Sequence, residues 1–145
     1  MGYVLKGKVS GLTPAEKWFL ITHPFMIGKI KENAEKALAE SRKRYSGAGQ
    51  HNGFGDAFRH CYWSALLARD IGKSAATKIT TAHEGYSENP SSERAMDLHN
   101  NGVGVSIGQM NSKASDAKLA GLCSKALTSG KLLTAPPAKG KPYKY

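Results

Sequence analysis

The sequence predicts an all-α fold, a compact bundle of about five to six helices followed by a basic, irregular C-terminal tail. Apolar residues recur at three- and four-residue spacing in several segments, capping and stop residues bound those segments, and no stretch shows the apolar–polar alternation of a strand. A chain of 145 residues is the usual size of one domain and buries roughly 70% of its unfolded surface. Residues 1–130 are therefore assigned to one helical domain and 131–145 to a basic Pro/Lys-rich tail.

Thr13-Pro14-Ala15-Glu16 opens the first helix: Thr13 caps, Pro14 takes the first helical position, and Glu16 completes a capping box. His23-Pro24 interrupts it after Ile21, and Pro24 starts a longer helix with Phe25, Met26, Ile30, Ala34, Ala37 and Leu38 as its apolar stripe. The run from Ser46 to Gly53 is a glycine-rich loop. A helix over 54–71 follows, with Phe58, Cys61, Tyr62, Ala65 and Leu66 inward and Gly72 as its stop. The next helix is expected over 74–84, with Ala75, Ala76, Ile79, Ala82 and Tyr86 inward and Gly85 ending it. After a loop at Asn89-Pro90, Ser91 or Ser92 caps a helix to about Gln109. Its Gly102, Gly104 and Gly108 mark close packing against another helix. A last helix over 115–128 carries Leu119, Leu122, Cys123 and Ala126 on one side, with Gly130 past its end.

The net charge is +10 with an uneven distribution. Nine Lys/Arg face four Asp/Glu in residues 1–50, five face six in 51–110, and seven face one in 111–145. A near-neutral centre between basic arms suits a site whose surroundings attract a polyanion, nucleic acid or anionic lipid; the competing reading is solubility alone. No apolar run is long enough for a membrane span, and Met1 to Gly11 lacks the apolar stretch of a secretory signal. Lys6 stands where a myristoylation motif needs Ser or Thr. The two cysteines, Cys61 and Cys123, read as small buried apolar side chains, a bridge between them being the alternative in an oxidising compartment.

Three segments carry polar residues where core residues are expected. Asp56, His60 and Ser64 lie at successive steps of four on one helix face, and a carboxylate one turn from a histidine orients its ring and raises its basicity. Ala82-His83-Glu84 places two ligand-type residues at a helix end. In Met96-Asp97-Leu98-His99-Asn100-Asn101, Asp97 and Asn101 share a face while His99 points elsewhere, and adjacent asparagines inside a helix need partners for their amides. Together they form a candidate site. Asp56, His60, His83, Glu84 and Asp97 are the catalytic candidates, and Arg59, Trp63, His99, Asn100 and Asn101 the substrate-binding ones. A divalent metal would be held by His60, His83, Glu84 and Asp97. A metal site, a metal-free acid/base site and a purely structural polar network all remain open on this pattern. Serine, cysteine and phosphate-loop chemistry fare worse: Ser64 lies mid-helix without G-x-S-x-G, Cys61 points about 100° away from its neighbour His60, and no lysine-bearing phosphate loop occurs.

The stretch from Gly55 to Leu66, then Ala82-His83-Glu84, then Met96 to Gly104, resembles a poorly characterised family of bacterial α-helical domains. Its members share a D-A-F-R-H-x-Y-W, A-H-E, M-D-L-x-N-N order over what are residues 11–110 here. Domains of that kind form C-terminal modules of secreted or contact-delivered polymorphic toxins. The resemblance implies a hydrolytic antibacterial effector without a classical signal peptide, delivered into a target bacterium and paired with a cognate immunity protein. The positions that match are Asp56, Arg59, His60, Trp63, His83, Glu84, Asp97, Asn100 and Asn101; Cys61 departs from the family's alanine. Nucleic acid is the first substrate expected, and phospholipid or a lipid-linked cell-wall precursor the alternative. The rival class is a non-enzymatic basic module that binds nucleic acid or a partner.

Overall fold

A computed structural model describes residues 12–46, 53–84 and 91–134. Among these residues the chain forms α1 (Pro14–Thr22), a 3-10 turn (Pro24–Met26), α2 (Ile27–Arg44), α3 (Phe54–Ile71), α4 (Lys73–His83), α5 (Ser91–Met110) and α6 (Asp116–Thr128), with no strand. The all-α expectation holds. The expected stop at Gly85, the inward Tyr86, the Asn89-Pro90 loop, most of the 46–53 loop and the tail from residue 135 lie outside the described residues.

The capping box forms as read. Thr13 Oγ1 accepts from the Glu16 amide and Glu16 Oε1 from the Thr13 amide, both at 3.1 Å. Gly72 and Gly130 take the positive φ expected of helix stops, 88° and 80°. After α6 the Lys131 amide reaches back to the Ala126 carbonyl and the Gly130 amide to Leu127, a Schellman closure.

The start of α2 departs from the reading. Pro24 opens a separate 3-10 turn, whose tighter winding carries Phe25 off the expected stripe, and Phe25 is 98% exposed. The buried face of α2 begins at Ile30 and continues through Asn33, Ala34, Ala37 and Ser41. Just past α6, Leu132 is buried and the Leu133 backbone is held by Asn100.

Helix α3 is the axis of the bundle. Every residue from Gly55 to Ala68 except Arg59 is buried, as expected of a helix covered on all sides. It packs most extensively on α5 and also against α2, α4 and α6. The contact with α5 is backbone-close. A Cβ on Gly104 would collide with the Cys61 carbonyl oxygen and lie 2.8 Å from Ser64 Cβ; one on Gly108 would collide with the Ala65 carbonyl and lie 2.8 Å from Ala68 Cβ. The expectation fails for Gly102, which is exposed with open space around it. Cys61 and Cys123 are both buried and both free thiols.

The glycines therefore separate by substitution. Gly104→Ala and Gly108→Ala must push two backbones apart and should each cost about 1–3 kcal/mol. Gly102→Ala should stabilise by up to about 1 kcal/mol through helix propensity. Urea midpoints of the three variants against the parent read this order directly.

Candidate functional site

The close approach of α3 and α5 puts Asp97 and Asn101, both on the glycine-bearing side of α5, against His60 and Ser64 of α3. Glu84, at the C-cap of α4, closes the group. Asp56 sits in the first turn of α3, where the helix dipole favours a carboxylate. All five of Asp56, His60, Glu84, Asp97 and Asn101 are at most 8% exposed.

Asn101 is the hub. Its Oδ1 accepts from Ser64 Oγ at 3.2 Å and lies 3.2 Å from His60 Nδ1, while its Nδ2 donates to Glu84 Oε1 at 3.1 Å. Since that oxygen can only accept, His60 Nδ1 carries the proton of the contact. Nε2 is then turned toward Asp56 Oδ1 at 3.4 Å and Asp97 Oδ1 at 3.5 Å. Arg59 pairs with Asp56 Oδ1 at the edge of the group. Two buried atoms here have no hydrogen-bond partner, Asp97 Oδ1 and Arg59 Nε. A buried carboxylate oxygen without a hydrogen-bond donor is costly, and the positively charged group nearest to this one is the His60 ring at 3.5 Å.

The electrostatics follow from crowding carboxylates around one imidazole. Burial by itself would lower the His60 pKa, but Asp56, by charge and hydrogen bond, then Asp97 and Glu84, outweigh it and raise it to about 9. Burial lifts Asp97 to about 7 against the pull of His60, helped by the charges of Glu84 and Asp56 and a hydrogen bond with Glu84. Oxygens of Asp56 and Asp97 and a nitrogen of His60 lie within 4.8 Å of one another, a group that could hold a metal ion. Ligands about 2.0–2.2 Å from a tetrahedral ion sit roughly 3.3–3.6 Å apart, which matches the two nitrogen–oxygen separations.

The remaining candidates are placed elsewhere. His83 Nδ1 meets Glu16 Oε2 at 3.1 Å and its ring stands edge-on to Trp63, so it faces α1 rather than the three-ligand group, which takes Asp56 in its stead. Burial first, then the positive charges of His60 and Arg59, hold the His83 pKa well below 6.5. Trp63 is fully buried beneath α2, its indole nitrogen 3.5 Å from the Ile30 carbonyl. Asn100 clamps the Leu133 backbone through both its amide atoms at 2.8 Å, and His99 Nε2 lies 2.8 Å from the Lys131 carbonyl. Both serve the segment after α6. Glu16 went unrecognised as a site neighbour because its capping role already explained it. Burial lifts its pKa to about 7, against the Thr13 backbone hydrogen bond that lowers it.

A raised histidine pKa has a defined sign in stability. His60 binds its proton more tightly folded than unfolded, so its contribution is complete below its unfolded value of 6.5 and is lost as pH rises through about 9. Glu16 and Asp97, raised to about 7, make their losses largely below that window. The metal-free protein should therefore lose stability between pH 7 and 9, and His60→Gln should flatten that slope. Urea melts at intervals of half a pH unit decide it; an unchanged slope in the variant would remove His60 as its source.

A family described as Domain of unknown function (DUF6973) matches residues 17–131. No solved structure matches the chain.

Proposed function

The chain belongs to the DUF6973 family, a membership that names no reaction, and we propose from the site's chemistry that it is a metal-assisted hydrolase of an anionic phosphodiester, acting as a delivered antibacterial effector. One observation carries the reading. Asp56 Oδ1, His60 Nε2 and Asp97 Oδ1 converge, and the last of these is a buried oxygen with no hydrogen-bond partner. Two carboxylates and one imidazole suit a divalent transition ion such as Zn2+ or Mn2+, and three protein ligands leave coordination positions for water and substrate.

In this reading Asn101 holds the His60 tautomer that leaves Nε2 free to ligate, the role that an outer hydrogen bond plays for ligating histidines generally. Held by Asp56, His60 and Asp97, a divalent ion would supply an acidified water and a Lewis acid for a phosphoryl oxygen. Glu84 lies 3.4 Å from His60 and shares a hydrogen bond with Asp97, close enough to take the proton of the attacking water. Arg59, partly exposed at the edge of the group, would meet the substrate's negative charge. The basic composition outside the centre supports an anionic substrate, with nucleic acid first. The toxin context, with an immunity protein as partner, rests on the motif resemblance.

Charge balance supplies a test. Without metal, Arg59 and protonated His60 face three carboxylates, and a proton on Asp97 completes neutrality. A divalent cation replaces those protons, so titration with Zn2+ or Mn2+ should release about one to two protons per ion near pH 7. Calorimetry in buffers of different ionisation enthalpy measures that number. Asp97→Asn and His60→Ala should abolish tight binding. The same variants should abolish chelator-sensitive cleavage of DNA or RNA and any toxicity on expression in a bacterium, while circular dichroism stays helical. Absence of stoichiometric metal binding by the wild type would instead favour a buried ion-pair network about a protonated His60.

A further inference from the structure

The cluster leaves unused the surface made by α1, the 3-10 turn and the first turn of α2. Trp18, Ile21, Phe25 and Ile27 are 69%, 71%, 98% and 43% exposed. Trp18 and Ile21 share one face of α1, and Phe25 projects from the turn that follows. Trp18 also walls an apolar groove of about 590 Å³ between α1 and α4, lined by Phe19, His23, Lys78 and Ala82 among others.

Among the described residues the exposed charges around this face are mainly positive. Between residues 14 and 31 the only carboxylate is Glu16, which is fully buried, and α4 contains none. Lys17, Lys31, Lys73 and Lys78 are exposed; Lys29 is offset by Glu32 at 3.4 Å. Aromatic and aliphatic side chains ringed by lysines match the boundary of an anionic bilayer, where rings lodge at headgroup level and ammonium groups meet phosphates. The shape agrees. A phenylalanine standing almost clear of its own chain fits a fluid partner that closes around it better than a rigid protein surface.

We propose that this face is a peripheral docking surface for anionic lipid bilayers, with Trp18, Ile21 and Phe25 entering the interface and Lys17, Lys31 and Lys78 contacting headgroups. It does not depend on the metal reading. Thr13 Oγ1 donates to the Ala82 carbonyl at 2.7 Å and Glu16 meets His83, so α1 is tied to the helix that carries Glu84. Docking by α1 then brings the polar cluster along with it.

The test uses the full chain with sedimented vesicles of phosphatidylglycerol and phosphatidylcholine, against phosphatidylcholine alone. The protein has two tryptophans, and Trp63 is already fully buried, so a blue shift of emission reports Trp18. The expected result is binding and a blue shift on the anionic vesicles only. Phe25→Ser with Ile21→Ser should reduce binding at least tenfold without changing circular dichroism, because both side chains are exposed. Lys17→Glu with Lys78→Glu should do the same. Three results would overturn the proposal: no binding to anionic vesicles; binding undiminished by the Phe25/Ile21 pair, which assigns it to charge elsewhere; or self-association in vesicle-free solution that the pair abolishes, which makes the face a protein interface.

Discussion

The backbone contact between α3 and α5 sets everything around it. Where Gly104 lies against Cys61 and Gly108 against Ala65, there is room for two peptide chains and no side chain between them. That closeness locks the register of the two helices, since a slide along the seam would drive a Cβ into a carbonyl. Asp97 and Asn101 precede the two glycines on the same side of α5, so the lock that seats the glycines also seats these polar groups beside His60 and Ser64. The chemistry of the site is thus a consequence of packing.

Buried charge is expensive, and this centre gathers a great deal of it. Three carboxylates, an imidazole and a guanidinium lie within a few ångströms, most of them nearly shut off from water. Removing such groups from water costs several kcal/mol per ion before pairing returns any of it. A structural role alone could be met by apolar side chains of similar size, and the proposed metal chemistry is one that needs the polar ones. The far end of α3 shows what ordinary electrostatic bracing looks like here. Arg69 bridges Asp70 and Asp116 near the surface, Asn33 completes Asp70, and the pKa values of both acids are depressed by their partners after burial is overcome. That network pairs every charge with an opposite one, although Asn33 Oδ1 there is itself without a hydrogen-bond partner, as Asp97 Oδ1 is in the centre.

Glu16 shows one residue serving two levels of structure. One oxygen closes the capping box of α1 and the other holds His83 of α4, so a local helix signal and a tertiary tie share a carboxylate. The arrangement fixes α1 to the body of the bundle while leaving its outer face, with Trp18 and Ile21, open to solvent.

The sequence by itself determined the elements. Helical periodicity, the Thr13 box, Gly72 and Gly130 are written within a few residues of where they act, and all appear in place. It also determined the residue types of the site, because buried histidine, carboxylate and amide on helix faces stand out against an apolar stripe. Only the tertiary structure decided who meets whom. It turned His83 to Glu16, brought Asp97 to the Asp56–His60 pair, spent Asn100 and His99 on residues 131–133, and exposed Phe25 by winding one turn more tightly. The physical reason is range. Capping and amphipathicity are local energies readable along the chain, whereas pairing between helices depends on a register fixed by glycines whose opposing backbone lies about forty residues away.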